Sequence, residues 1–396
     1  MRRLHHMAIC TEGAVYLVVM GFILTAAVIR QINLLMILYG VLAGPLLLSW
    51  WGVRWTLKRL DVARRAPSSV YAGEPFTVEV ELANGRKHGG SFAVSVRDEL
   101  RRRGSSDPPV GADVHFSFVP AGQSRRASYR GMLRHRGLYD FQPLKVSTRF
   151  PLGLLRTMLR FDKPARLAVF PAIGSLSPIW QRLLKIEDMA SSRRRPQHGF
   201  HEAEFYGLRD WRPGDGRNRV HWRTSARRQT LTVRQYERRR HAEFALVVDL
   251  WSPPKPTEAD RQRVEDVASL AATLLAESCR GAAGQPLLFN LIAKHPKQVR
   301  SVASPSALHE ALRLLAAAEA DGKDRLPDSL ASVFAELRPN MNVIVLSTRR
   351  VDLFDRERFS TLWAARDLQH WAQRTPCLSP GEPLWTEMFR PVGAAS

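Results

Sequence analysis

Arginine dominates the one stretch of this chain whose residue types and spacing could do directed chemistry. Residues 193–240 hold 14 Arg, no Lys and five acids (Glu202, Glu204, Asp210, Asp215 and Glu237), a net of +9. A guanidinium is a planar fork that grips carboxylate or phosphate oxygens in pairs and stacks on aromatic rings. Two uses of such a stretch stand side by side. In one, Asp215 and Glu204 orient Arg219, Arg223 and Arg227 in a structural ion-pair network, with Trp211 and Trp222 packed on the guanidinium planes. In the other, the surplus cations receive an anionic partner. The two are compatible.

Catalytic patterns fail one by one. The sequence has no G-x-x-x-x-G-K-[ST], no H-E-x-x-H and no G-x-S-x-G, so nucleotide hydrolysis, zinc proteolysis and α/β-hydrolase chemistry lack their first requirement. His198, His201, Glu202 and Glu204 cluster without the spacing of a helix or finger metal site. Cys10, Cys279 and Cys377 form no C-x-x-C pair, which agrees with a reducing compartment for the part outside any membrane. The reading is therefore non-enzymatic, with no catalytic residue, no cofactor and no metal.

The elements that must carry the Arg-rich stretch are legible around it. Pro213-Gly214-Asp215-Gly216 is turn chemistry. Thr230 to Tyr236 alternates like a strand. Beyond it the pattern switches to alternating strands and helices. Phe244 to Leu250 is a buried-strand run holding Asp249, Glu258 to Arg280 has helical apolar spacing, and Pro286 to Ala293 reads as a strand. Ala307 to Ala318 and Ser329 to Leu337 read as helices, and Asn342 to Ser347 as a second buried strand. That alternation implies a doubly wound, mainly parallel sheet, in which ligands gather at the carboxyl ends of strands; Asp249 is the natural candidate there.

Before the Arg-rich stretch, residues 61–165 read as all-β. Phe76 to Leu82, Phe92 to Val96, His115 to Val119, Ser128 to Leu133 and Leu144 to Thr148 are short strand candidates punctuated by turn residues, as in a β-sandwich. Earlier still, Gly13–Ile29 and Ile32–Val53 carry no charge and approach the ~20 apolar residues that a bilayer core requires. They read as a transmembrane hairpin that meets the lipid bilayer through residues 9–53, with Trp50, Trp51 and Trp55 at its end as an interface belt. Seven cations (Arg2, Arg3, Arg54, Lys58, Arg59, Arg64, Arg65) flank the hairpin against one, Arg30, in its turn. The positive-inside rule then places both termini in the cytoplasm.

The string GDGRNRVHWRTSARRQTLTVRQYE, with Gly214, Asp215, Arg219, Trp222, Ser225, Ala226, Arg227, Leu231, Val233 and Arg234, closely resembles the signature of the bacterial family known as domain of unknown function 58. The segment from Arg136 to Leu155, with its Phe150-Pro151-Leu152-Gly153 turn, is also similar to that family. Arg209, Gly214, Asp215, Arg219, Trp222, Ser225, Arg227 and Arg234 are the candidate signature or partner-binding residues. The resemblance implies an immunoglobulin-like sandwich and a C-terminal domain similar to von Willebrand factor A domains. Those carry a D-x-S-x-S metal motif after the first strand. Here the matching stretch is Asp249-Leu250-Trp251-Ser252-Pro253, in which Trp251 and Pro253 replace the hydroxyls and Ser347-Thr348 stands where a second Asp often falls. Asp249 is then a degenerate metal position, expected to cap its loop or pair with a nearby Arg.

The expected segments are 1–60 hairpin, 61–165 β-sandwich, 166–241 linker and signature, and 242–396 α/β domain. By family association, the partner is a MoxR-type AAA+ ATPase or another acidic cytoplasmic protein, served by a scaffold or adaptor at the inner membrane. A net charge of +22, from 59 basic and 37 acidic residues, suggests nucleic acid, an anionic membrane surface or acidic partner proteins. The alternative is a binder of anionic ligands or nucleic acid through residues 193–240, although nucleic acid has few aromatic platforms there.

Overall fold

Strand β1 (His5–Ile9) opens the chain and hands over at Cys10 to helix α1 (Thr11–Arg30). Gln31, in the left-handed region at φ 49°, reverses the path into α2 (Asn33–Thr56). The computed structural model describes residues 5–178, 204–212, 215–237, 244–281, 284–337, 341–364 and 369–391. Both helices are long and apolar enough to cross a membrane. Phe22, Ile29 and Leu34 are each more than 70% exposed, an arrangement that suits an apolar medium rather than water. The Tyr16 hydroxyl donates to the Leu42 carbonyl at 2.8 Å and ties the two helices together. The boundaries differ from those expected: Ile9 ends a strand rather than beginning a span, and α2 runs to Thr56.

The chain divides into two compact units, Met1–Ile173 with Leu312–Ala318, and Gly174–Ala311 with Glu319–Ser396. In the first, the strands are β2 (Leu60–Arg65), β3 (Ser69–Tyr71), β4 (Pro75–Asn84), β5 (Ser91–Arg102), β6 (Val110–Val119), β7 (Ser124–Met132), β8 (Gly137–Phe141), β9 (Leu144–Thr148), β10 (Leu155–Phe161) and β11 (Arg166–Phe170). They form two sheets. One runs β1-β10-β9-β5-β8-β11-β3 with β6 on β5; the other runs β2-β4-β7. Alternation makes the core: Val80 and Leu82 of β4 bury against Val94, Val96, Val146 and Leu159 of the facing sheet. A charged rivet crosses that core. Arg64 grips Asp98 through two hydrogen bonds of 2.8 and 2.7 Å, and the Tyr129 hydroxyl donates to the same carboxylate at 2.9 Å. Burial raises Asp98 above its ordinary range and Arg64 and Tyr129 work against it.

In the second unit β12 (Ser175–Leu176) pairs with a terminal strand described below, and β13 (Glu204–Asp210) forms an antiparallel hairpin with β14 (Thr232–Glu237). Helix α3 (Trp222–Arg228) lies between them in sequence. A five-stranded sheet follows, built on β15 (Phe244–Asp249). Strands β16 (Pro286–Ile292) and β18 (Asn342–Ser347) flank it in parallel, β19 (Cys377–Leu378) continues parallel, and β17 (Lys297–Val302) closes the β16 edge antiparallel. The helices are α4 (Glu258–Gly281), α5 (Pro305–Ala317, which from Leu312 on is assigned to the first unit), α6 (Leu326–Glu336), α7 (Ser360–Ala364), α8 (Gln369–Arg374) and α9 (Pro383–Met388); strand β20 (Phe389–Arg390) partners β12. Ala245, Val247, Val343 and Val345 pack against Leu330, Val333 and Phe334 of α6 and Trp371 of α8. Leu246 and Val248 alternate to the other face, toward α4 with its buried Val267, Leu270 and Leu274.

Candidate functional site

The register of the β13–β14 hairpin decides which Arg meets Asp215. Arg209 stands opposite Val233 near the end of β13, and the chain then turns so that Asp215 returns beside it. The pair is bidentate, Arg209 Nη1 to Asp215 Oδ2 and Nη2 to Oδ1, both 2.7 Å. The same carboxylate accepts from the Arg212 backbone N–H at 2.9 Å, and the Trp211 indole donates to the Asp215 carbonyl at 3.3 Å. The hydrogen bond with Asp215 holds Arg209 above its ordinary value, against the pull of burial. Asp215 is therefore the knot of this turn. The expected network of Asp215 and Glu204 with Arg219, Arg223 and Arg227 does not include Arg209, which the hairpin register brings within reach; the side chains of Glu204 and Arg219 lie outside the described residues.

Ser225 is a second knot. It is buried on α3, its hydroxyl lies 3.1 Å from the His221 carbonyl, and it accepts from the Thr232 N–H at 2.9 Å. One hydroxyl thus ties α3 to the first residue of β14. His221 caps the helix, its Nδ1 accepting from the Thr224 N–H at 3.2 Å. Val233 and Val220 are buried and bridge to one another.

Most of the Arg of this segment whose side chains are described face outward. Arg212, Arg217, Arg223, Arg227, Arg228 and Arg234 are exposed. Trp222 is 64% exposed, which removes it from the packed role expected for it. The backbone of Arg219 closes a short 3-10 turn (Arg217–Arg219). Gly214 lies outside the described residues, as do His198, His201, Glu202 and the linker expected from Ser191 to His198.

A separate cluster forms at the carboxyl edge of the parallel sheet. Asp249 and Ser347 are register partners on β15 and β18, and the Ser347 hydroxyl donates to Asp249 Oδ2 at 2.9 Å. Asp249 is only 2% exposed. Arg349, two residues beyond Ser347, brings its Nε to 3.8 Å from Asp249 and its other end onto Asp324. Arg358 also reaches Asp324, at 2.9 Å. The guanidinium of Arg349 lies 4.8 Å over the Trp251 ring, and the Thr348 hydroxyl donates to the Trp251 carbonyl at 2.6 Å.

Desolvation dominates Asp249 and pushes its carboxyl up to about 6, with the Ser347 hydrogen bond and Arg349 pulling the other way. Burial also works to raise Asp324, but Arg358 and Arg349 outweigh it and hold it below its usual range. Sequence reasoning found Asp249 and expected a nearby Arg beside it, without naming Arg349 or Asp324. The available signal was an Arg two residues after a buried strand whose partner strand ends in an acid. Among the described residues no three His, Cys, Asp or Glu side chains converge as a metal cage.

Fold and site together define a multi-domain chain with two membrane-length helices, a β-domain and an Arg-rich hairpin joined in sequence to a mixed α/β sheet. Residues 207–347 match the family described as "Protein of unknown function DUF58". The chain is also similar to "Uncharacterized protein YeaD" of Bacillus subtilis, at 27% identity over 165 residues. That match spans 42% of this chain and 39% of the Bacillus protein. Among solved structures, a superoxide reductase (neelaredoxin) variant from Ignicoccus hospitalis aligns over 28% of this chain and 79% of its own, at 17% identity and a TM-score of 0.20. A CARDB domain from Pyrococcus furiosus aligns over 28% of this chain and 94% of its own, at 13% identity and the same TM-score. Likenesses that slight say nothing about function.

Proposed function

We propose that this protein is a membrane-anchored scaffold or adaptor, facing the cytoplasm, that recruits an acidic protein through its Arg-rich hairpin. The partner proposed is a MoxR-type AAA+ ATPase. In this reading the β-domain is an immunoglobulin-like spacer, and the α/β sheet is a von Willebrand A-like interaction domain that works without a metal. The observation that carries the reading is how the signature distributes its charges. Its one described turn acid, Asp215, is held by Arg209, while six Arg of the same segment and Trp222 stand exposed. Exposed cations and an exposed indole suit an acidic protein surface, where charge sets encounter rate and register.

Two features support the anchor. The helices α1 and α2 are membrane-length, and β1 before them pairs with β10 after them in one sheet. A bilayer cannot separate paired strands, so a spanning hairpin has both ends on the same side. The seven-to-one excess of flanking cations favours the cytoplasm for that side.

The test uses the full chain in lipid nanodiscs, a purified MoxR-type ATPase, and DNA as competitor. Retention of the ATPase with no displacement by DNA is the expected result. Saturable DNA binding with no retention of the ATPase would replace this reading with the anionic-polymer one.

A further inference from the structure

We infer that the end of the β-domain next to the hairpin is itself a membrane-contact surface, seated in the headgroup region of an anionic bilayer. This rests on the proposed reading of α1 and α2 as spans. It adds that the β-domain does not hang from a tether but lies against the lipid with one defined face.

The junction fixes that face. Arg86 is buried and donates to the Trp55 carbonyl at 2.8 Å, while the Ser91 hydroxyl donates to the Thr56 carbonyl at 2.9 Å. Together they cap the last carbonyls of α2 from within the β-domain, where a cation also opposes the negative helix end. The Arg86 guanidinium stacks 4.2 Å over the Trp55 ring. Burial lowers the Arg86 pKa from its ordinary value.

The other helix is fixed as tightly. The Cys10 N–H donates to the Leu154 carbonyl at 3.0 Å, and a Cβ at Gly13 would lie 2.1 Å from that oxygen. At Gly52 a Cβ would lie 2.7 Å from the Pro151 ring. Only glycine permits either approach.

Depth follows from these contacts. Gly52 lies four residues before the end of α2, roughly 6 Å along the helix axis toward the apolar part of the span. Pro151 touches it there, so the turn holding Leu152 reaches below the level of the helix end. Leu152 is 51% exposed. Beside this turn the rings of Phe150, Phe92 and Phe118 follow one another at 5.0 and 4.8 Å, and Phe118 is exposed. Exposed Phe118 at this end of the β-domain and exposed Trp50 and Trp51 in the last turns of α2 match the interface belt of a membrane protein.

Charge agrees. The three loops at this end, 85–90, 120–123 and 149–154, contain no Asp or Glu. Lys87 and Arg149 are exposed there, with Lys58 and Arg59 adjoining. One exposed acid, Glu12 on the first turn of α1, adjoins this end, and the exposed cations outnumber it; an apolar tip with that balance fits anionic headgroups over an acyl boundary.

Strand β6 supplies its own control. Phe118 lies near one end, level with the junction, and Val110 begins the strand eight residues away, roughly 26 Å further along. Both are exposed.

The experiment reconstitutes the full chain in phosphatidylcholine–phosphatidylglycerol vesicles containing lipids brominated near the headgroup end of the acyl chains. An environment-sensitive fluorescent amino acid is placed in turn at Val19, Phe118, Leu152 and Val110, leaving the native cysteines untouched. Quenching at Val19 reports the span. The expected result is quenching at Leu152 and Phe118 several-fold above that at Val110, and a fall at Leu152 toward the Val110 level when Lys87→Glu and Arg149→Glu are combined. Quenching at Val19 with Leu152 no different from Val110 would overturn this inference and leave the hairpin standing. No quenching at Val19 would overturn the membrane reading on which it rests.

Discussion

Replacing Asp249 with Asn should stabilise the α/β sheet at neutral pH while leaving it unchanged in acid. The carboxyl is 2% exposed and its folded value lies at about 6 against a usual 3.8, with burial as the main cause. A rise of that size corresponds to about 3 kcal/mol, the cost of keeping the buried group ionised. The sign follows from proton binding. Below 3.8 the acid is protonated in both folded and unfolded chains and costs nothing. Between 3.8 and about 6 the folded chain binds more protons, so stability falls as pH rises. Above about 6 the loss is complete and constant.

Asn keeps the shape and still accepts from the Ser347 hydroxyl, now 2.9 Å from Asp249. It surrenders the charge attraction of Arg349, which stands 3.8 Å away and retains Asp324. The rise to about 6 is already net of the Arg349 attraction and the Ser347 hydrogen bond, so a neutral amide that keeps the Ser347 contact should gain up to about 3 kcal/mol at pH 7. Amide hydrogen exchange of peptides covering 244–250 and 342–348, with both chains compared at each pH, reads this directly. Slower exchange in Asp249→Asn at pH 7, converging with wild type toward pH 4, is the expected pattern. Faster exchange in the variant at pH 7 would refute the reasoning and show that the ionised Asp249–Arg349 contact outweighs desolvation.

Asp215→Ala should lower the stability of the β13–β14 hairpin by about 1.5–3 kcal/mol, since it removes a bidentate partner from Arg209 and an acceptor from the Arg212 N–H; unchanged exchange protection across 204–237 with lost partner binding would make Asp215 a contact residue instead. Ser225→Ala leaves the buried Thr232 N–H without that acceptor and should cost about 1–2 kcal/mol, read as faster exchange at Thr232. Isothermal titration with magnesium or manganese should show no saturable binding at micromolar concentration; saturation abolished by Asp249→Ala would restore a metal-dependent site. A reporter fused after Ser396 should be active in the cytoplasm, and export of that reporter would end the proposed orientation.

The elements that surfaced most clearly in the sequence are those whose burial is one-sided or complete. Asn342–Ser347 is buried throughout, so its apolar run marks β18 from end to end. The alternation at Phe76–Leu82 marks β4 because one of its faces lines a core. Strand β17, KQVRSV, has almost no buried face, and edge pairing with β16 makes it a strand without leaving a period to read. Strand β1 was hidden for another reason: its partner β10 lies roughly 150 residues away, and beside a membrane-length run it resembles flanking sequence.

At the site, residue types were legible and partners were not. Fourteen Arg surround Asp215 in sequence, and only the hairpin register selects Arg209. Asp249 was found from the end of its strand, whereas the position of Arg349 between Asp249 and Asp324 depends on a loop path that no periodicity encodes. The Arg64–Asp98–Tyr129 rivet likewise joins three strands far apart in the chain.

The central claim is that the exposed Arg of the signature receive an acidic protein. Its most direct measurement is the salt dependence of binding between the full chain in nanodiscs and a purified MoxR-type ATPase, with and without Arg223→Glu, Arg227→Glu and Arg228→Glu combined. These side chains are exposed on α3, so the variant should keep its fold, checked by exchange protection at Thr232. The account expects wild-type affinity to weaken steeply as salt rises, and the variant to bind at least about tenfold more weakly with a flatter salt response. Equal affinity and equal salt dependence for the two chains would contradict it.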